Sequence, residues 1–160
     1  MIFIRGIERH VRSTARQLDM GVLTWNPINS GWLTGRFRSA DDIELSGFRG
    51  MISYKFDLNK EGNRRKLKAV EQLLALADQT GMSLTHLALG FAAAHPAVSS
   101  VLIGPRTPEQ LDDLLGATKI NLDAEVLDRI DEIVPPGTDL NAEDTDHTLP
   151  HLADAQLRRR

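Results

Sequence analysis

The sequence predicts an α/β fold of parallel βαβ units, and only a sector of one. Short apolar or β-branched runs alternate with stretches of helical periodicity, the order that sets strands parallel with helices between them. Each run is short and bounded by Gly, Asn or Pro, which favours a buried strand over a helix. The runs amount to about two and a half strands, whereas a parallel sheet needs both faces covered and both edges handled.

Taken in order, Met1-Ile2-Phe3-Ile4 is apolar and Arg5 is charged. This is the end of a strand rather than a secretory leader, and a strand fragment at residue 1 hints at missing sequence upstream. Residues 8–18 carry Val11, Ala15 and Leu18 at steps of three or four, the spacing of a helix. Residues 21–25, GVLTW, form a short run closed by Asn26-Pro27, a buried strand. The polar, glycine-bearing stretch 26–63 is too long for an ordinary connection, so it is expected to be a functional loop or partly disordered.

Asn63 is placed to cap a helix ending near Thr80, with Leu67, Val70, Leu73, Leu74 and Ala77 as its apolar stripe and Gly81 as its left-handed stop. Ser83 caps a second helix through Leu84, Leu87, Ala88, Phe91 and Ala92, which must end before Pro96. Residues 98–103 read as a strand. Thr107 caps a helix whose first residue, Pro108, lacks an amide proton that would be unpaired there anyway. Its apolar positions are Leu111, Leu114 and Leu115. A last helix over 124–134 carries Val126, Leu127, Ile130 and Ile133 and is broken by Pro135-Pro136-Gly137. The Asp-rich remainder reads as a surface tail.

A chain of 160 residues, 41% hydrophobic and 26% charged, provides one domain's worth of core. A formal charge of −3 does not suggest a nucleic-acid binder, and the run Arg158-Arg159-Arg160 reads as a solvated end. With no cysteine there are no disulfides, thiolate metal sites or thiol nucleophile, a pattern that fits the cytoplasm. No run is long and apolar enough to predict a membrane span. His10, His86, His95, His147 and His151 show no HxH or HExxH spacing, and Pro150 opposes a helix through the last two, so no metal site is expected.

Two segments stand directly after predicted strands, where α/β folds build ligand sites. In the first, Trp25-Asn26-Pro27-Ile28-Asn29-Ser30-Gly31-Trp32-Leu33-Thr34-Gly35-Arg36 offers turn amides, small polar side chains, permissive glycines and a cation. Such a turn can cradle a diphosphate while an aromatic ring stacks on a flat one; on composition alone it also reads as an ordinary surface loop. It is not a P-loop, since the glycine spacing is one short and Phe37 stands where a hydroxyl is needed. In the second, Gly104 allows a turn into a helix with Arg106 and Thr107 at its mouth. There, unpaired amides and the helix dipole favour an anion. Arg106 supplies a planar fork suited to a phosphate monoester, and Gln110 and Asp113 share a helix face where they could grip a base. The plain alternative is a helix cap with a surface arginine.

These segments resemble the nucleotide-binding signatures of aldo-keto reductases, an aromatic-Ser-Pro-Leu-x-x-Gly-x-Leu-Thr-Gly-Lys loop and an Ile-Gly-x-Arg-Thr-x-x-Gln-Leu helix start. The likeness runs from Phe3 to Asn141 and takes in Arg5-Gly6-Ile7-Glu8, His95-Pro96-Ala97-Val98 and Ile133-Val134-Pro135-Pro136-Gly137. It implies the C-terminal portion of a (β/α)8 TIM barrel, incomplete as a barrel. Residues 1–141 would run from the end of strand 6 through strand 8 and the C-terminal helix, with 142–160 as tail. It implies NADP(H) as cofactor and a small-molecule carbonyl as the complete enzyme's substrate, with specificity set partly within residues 39–62. Trp25 would stack on the nicotinamide. Asn26, Pro27, Ile28, Ser30 and Leu33 would line the pyrophosphate loop, with Arg36 nearby. Gly104 would open the second turn, Arg106 would pair with the 2′-phosphate, and Gln110 and Asp113 would hold the adenosine. Asn26 departs from the family's serine, and Leu114 from an asparagine that contacts adenine in many members.

The family's catalytic tyrosine, lysine, aspartate and histidine all lie upstream of the stretch this chain resembles. Tyr54 is not expected to replace the tyrosine, because Lys55, adjacent on an extended segment, would point away from it; its expected role is loop packing or cofactor-side lining. The expectation is therefore a nucleotide-binding part without catalytic residues. Its alternatives are a non-catalytic module completing a barrel with another chain, or a truncated product that does not fold alone.

Overall fold

The computed structural model describes residues 1–145 and 154–156. His147, Pro150, His151 and the terminal arginines, with most of the expected tail, lie outside the described residues. Among the described residues the fold is mixed α/β and helix-rich, with one two-stranded sheet that does not close into a barrel. Strands β1 (Val22–Thr24) and β2 (Val98–Val101) are parallel, pairing Val22 with Val98, Leu23 with Ser100 and Thr24 with Val101. Both are shorter than the apolar runs, because the ladder persists only where each strand faces the other. Residues 25 and 102–103 leave it to enter the loops beyond.

The first apolar run does not extend this sheet. Ile4 makes an isolated antiparallel bridge to Asp139, with Arg5 N donating to Thr138 O and Leu140 N to Phe3 O, each at 3.0 Å. Ile2 and Phe3 are fully buried, so burial and these backbone bonds hold the segment against residues 138–140.

Helix α1 (Val11–Gln17) follows a 3-10 turn over Gly6–Glu8. Its expected apolar stripe is largely outward. Ala15 is buried, but Val11 and Leu18 are exposed, and Arg12 goes inward in their place. The reason is the charged node at Glu8. Arg5 Nε donates to both Glu8 oxygens at 2.9 and 3.0 Å, and its Nη1 donates to Asp131 and to the Val134 carbonyl. Arg12 reaches Glu8 at 3.3 Å, and the Gly137 amide donates to the same carboxylate.

Burial pushes the Glu8 carboxyl up, but the hydrogen bond and charge of Arg5, the Gly137 amide and Arg12 together hold it below its ordinary 4.5. A carboxyl whose pKa is lower in the folded than in the unfolded state stabilises fully above the unfolded value. That stability is lost as pH falls through the folded value. Melting temperature is thus expected to drop as pH goes from about 5 to about 3, with part of the slope belonging to Glu8. Glu8→Gln should be less stable near neutrality by about 3 kcal/mol, since it leaves the buried Arg12 guanidinium without a carboxylate partner. It should also show a shallower acid limb, and an acid limb identical to that of the unmodified chain would refute the assignment.

Helix α3 (Glu61–Thr80) begins after Lys60, whose side chain makes no cap hydrogen bond, and Asn63, the expected cap, sits inside the first turn, fully buried. Its amide Nδ2 donates to the carbonyls of Tyr54 and Asp57, an interior role that outweighs capping. Val70, Leu73 and Ala77 are buried, and Gly81 takes the left-handed φ of 68° that ends the helix. In helix α4 (Leu84–Ala94), Ser83 accepts from His86 N, and the apolar positions read from the sequence are all buried. Helix α5 (Pro108–Gly116) starts at Thr107 and Pro108 as expected, but Leu111 and Leu115 are exposed and Leu114 is half-buried. Helix α6 (Ala124–Ile133) is capped by Asp123 and buries Val126 and Ile130 against α3.

The stretch 26–63 is neither slack nor disordered. It folds into turns over Asn29–Thr34, Ala40–Asp42 and Ser53–Lys55 and a short helix α2 (Phe48–Met51), and it sends Trp32, Leu33, Phe37 and Phe56 into the core. Trp32 stacks on Phe56 with centroids 5.3 Å apart, and Phe37 meets both edge-on, contacts that add to area burial. Past residue 141 the chain is not yet tail. Asp144, in a turn over Ala142–Thr145, is buried against Lys66 with an Nζ–Oδ2 distance of 2.9 Å. Aspartates read from composition as solvated include one that is neutralised inside.

Candidate nucleotide-binding groove

The loops that follow β1 and β2 leave the same end of the sheet and form facing walls of a groove of about 1150 Å³. Every residue singled out from the sequence lines it except Leu33, which is fully buried in the core. The loop turns Leu33 inward, into the core that also holds Trp32.

The first wall carries four left-handed residues: Asn26 (φ 55°) and, past Pro27 and Ile28, the consecutive Asn29 (49°), Ser30 (57°) and Gly31 (103°). Asparagine is among the few L residues that tolerate this region, and a cluster of such residues is kept only where surrounding bonds enforce it. Asn26 provides that bond. Its Oδ1 accepts from Ser30 N at 2.6 Å and its Nδ2 donates to Ser30 Oγ at 3.2 Å. A serine hydroxyl is too short to span both, which gives the departure from the family pattern a structural reason. The amides expected to face a diphosphate are partly turned inward: Asn29 N donates to Asn26 O, and Gly31 N and Leu33 N donate to Ile28 O. The polar groups left at the groove are side chains, with Asn26, Ser30, Thr34 and Arg36 in its lining. Trp25, at the strand end, is about half exposed and also lines it.

The second wall is likewise more self-satisfied than expected. Thr107 Oγ1 accepts from Gln110 N, and Gln110 Oε1 accepts from Arg106 N at 2.9 Å. The Glu109 carboxyl is held below its ordinary value by its own amide and the Thr107 hydroxyl. The cap occupies one first-turn donor, Gln110 N, and the Gln110 side chain reaches back to the amide before the cap, so Gln110 serves the helix start as well as facing the groove. Asp113 is also engaged: its Oδ1 lies 3.1 Å from His86 Nε2, which lies 2.8 Å from its carbonyl. Arg106 is exposed at the mouth. Beside it, Leu102, Ile103 and Leu114 give the groove an apolar floor.

A third wall comes from the segment containing Ser46, Arg49, Tyr54 and Lys55, of which the sequence offers only Tyr54, as loop packing or cofactor-side lining. Length marks the rest of it, and no local motif does. Ser53–Lys55 is a 3-10 turn, not extended chain, and Lys55 Nζ lies 5.8 Å from the centroid of the Tyr54 ring, with Lys60 Nζ at 5.7 Å. The expectation that Lys55 points away is corrected by the turn. Four cations, Arg36, Arg49, Lys55 and Arg106, line the groove against two carboxylates, Glu44 and Asp113. An excess of positive charge in a concave site of this size favours a polyanionic ligand, and the exposed indole and leucines suit flat rings.

His95 Nδ1 accepts from the Ala97 amide, and burial with the charge of Arg12 pushes its pKa down. Among the described residues, no group of three or more His, Cys, Asp or Glu could hold a metal, and no helix is long and apolar enough to cross a membrane.

The sequence profile of the Aldo/keto reductase family matches residues 2–135. An uncharacterised oxidoreductase of Bacillus subtilis, YrpG, is 31% identical over 134 residues, covering 83% of this chain and 38% of its own length. Proteins named probable voltage-gated potassium channel subunit beta from Arabidopsis thaliana and from Oryza sativa are each 32% identical over 117 residues, covering 72% of this chain and 35% of theirs. The chain thus spans somewhat over a third of the length of these relatives.

Proposed function

The chain belongs to the aldo/keto reductase family, and from that premise we propose that it is the NADP(H)-holding portion of an oxidoreductase that reduces a carbonyl to an alcohol. The observation that carries this reading is one groove in which two strand-end loops bring together Trp25, Asn26, Ser30, Arg36 and Arg106, with cations in excess. When bound, the cofactor supplies the hydride. The chain's own residues hold it. Arg106 pairs with the 2′-phosphate through its planar fork, Arg36 and the Asn26 and Ser30 side chains face the diphosphate, and Trp25 stacks on the nicotinamide. Gln110 and Asp113 flank the adenosine. Arg106 favours NADPH over NADH, because a phosphate monoester answers its charge and a hydroxyl does not.

No residue here is assigned to proton transfer. We place the acid and its tuning groups outside the chain, so that hydride transfer needs the remainder of a TIM barrel. The exposed Leu18, Met20 and Leu23 beside β1 support an apolar neighbour there, whether from the same polypeptide or from another chain, the latter making this a non-catalytic assembly module. A setting in the cytoplasm fits the lack of cysteine, and neither a nucleic acid nor a membrane is among the proposed partners.

NADPH titrated into the purified chain is expected to quench tryptophan fluorescence, and Trp25→Phe to remove most of that quenching. With 4-nitrobenzaldehyde added, cofactor oxidation is expected to stay at background. No quenching at millimolar NADPH would sink the binding assignment, and robust turnover would sink the placement of the chemistry outside the chain.

A further inference from the structure

One polar face of α3 does the same thing twice. Asn63 donates through Nδ2 to the carbonyls of Tyr54 and Asp57, at 3.0 and 2.8 Å, and accepts at Oδ1 from Asn141 Nδ2 at 2.9 Å. Three residues later, Lys66 Nζ donates to the Lys55 carbonyl at 2.9 Å and to both oxygens of Asp144, at 3.2 and 2.9 Å. Positions three apart share a helix face. In each case a buried side chain of α3 grips the turn holding Tyr54 and Lys55 on one side and the segment 141–144 on the other.

Gly62 marks how close that segment lies. A Cβ there would stand 2.7 Å from Asn141 Cβ and 2.9 Å from its Cα. Lys60 is paired with Glu143 as well, so the contact continues along the segment.

The Lys55 carbonyl also accepts from Trp32 Nε1 at 3.1 Å, and Lys66 Nζ lies 4.9 Å from the centroid of the Trp32 ring. Trp32 stands within the left-handed loop of the first wall. A single carbonyl, with two lone pairs and two donors, therefore joins the first and third walls of the groove, and the Lys66 ammonium fixes it. Burying this ion pair brings little net stability, since an apolar pair of like volume would serve as well. An apolar pair could not donate to Lys55 O.

We propose that Lys66 and Asn63 are positioning residues for the groove, and that Asn141 to Asp144 is a strap across α3 holding them against the Tyr54-Lys55 turn and, through Trp32, the loop after β1. The inference deepens the cofactor reading by adding a segment that never touches the ligand.

Two variants of the full chain test it. The double substitution Lys66→Met with Asp144→Leu removes the ammonium without stranding a charge. Gly62→Ala pushes the strap away while leaving every groove residue intact. For each, amide hydrogen exchange is measured together with NADPH affinity, and Asp131→Asn, at the Arg5 node, serves as a control of ordinary destabilisation. Exchange in peptides covering 26–36 and 52–57 is expected to quicken about tenfold with α4 unchanged, and the NADPH Kd to rise about fivefold. Exchange in both loops equal to that of the unmodified chain overturns the strap. So does exchange that quickens equally in α4 or equally in Asp131→Asn, and so does faster loop exchange at an unaltered Kd. If the unmodified chain does not bind NADPH, the cofactor reading fails separately, and the exchange pattern alone decides the strap.

Discussion

Arg106→Ala is expected to weaken NADPH binding by about ten- to a hundredfold, the worth of a lost charge-assisted, two-pronged hydrogen bond to phosphate. NADH binding should change little. Arg106 is exposed at the mouth of α5, and its own amide is already committed to Gln110 Oε1, so the side chain can be removed without disturbing the cap. Arg106→Lys should fall between, keeping the charge but losing the fork. Because the contact is exposed, its contribution should shrink as salt rises. Titration of the chain and both variants with the two cofactors, at two ionic strengths, reads the difference directly. Equal losses for NADPH and NADH would mean that Arg106 acts on the fold or on a shared phosphate, and the 2′-phosphate assignment would be abandoned.

The largest expected loss of stability is from Lys66→Ala alone. It leaves Asp144 buried without its cation and opens a space beside the fully buried Trp32. Breaking one side of a buried pair costs about 3–5 kcal/mol, a large share of the roughly 5–15 kcal/mol that holds a domain together. Burial holds the Lys66 pKa below its ordinary value, and the charge and hydrogen bond of Asp144 offset only part of that, so removing either partner leaves the other strained in the interior. Chemical denaturation should show Lys66→Ala well below the Lys66→Met, Asp144→Leu double variant. If the single variant equals or exceeds the double one, the ion pair is not buried in solution.

How far the chain could be read in advance varied with the range of the interactions concerned. Thr107 with Pro108, Ser83, and Gly81 mark helix ends through contacts with their own neighbours, and each sits where local chemistry put it. Asn63 departs from its expected capping role because the same amide that can cap a helix can also staple two distant carbonyls, and only packing decides which. Val11 and Leu18 carry the right period yet face outward, because the Glu8 node draws Arg12 inward instead. Leu111 and Leu115 repeat that lesson on α5. At the groove, residue types at strand ends were legible in both loops. What was not legible was that many of the turn amides close on their own loop, and that Leu33 belongs to the core.

By itself the sequence determined the family, the order of elements along most of the chain and the two loops that face the groove, all of which rest on local spacing and residue type. Tertiary structure alone decided that the chain past residue 141 returns to bury Asp144 on Lys66, that one Lys55 carbonyl ties two walls together, and that the third wall exists at all. Those contacts join residues up to 78 positions apart, and the free energy of such a pairing depends on burial and geometry that no window of sequence contains.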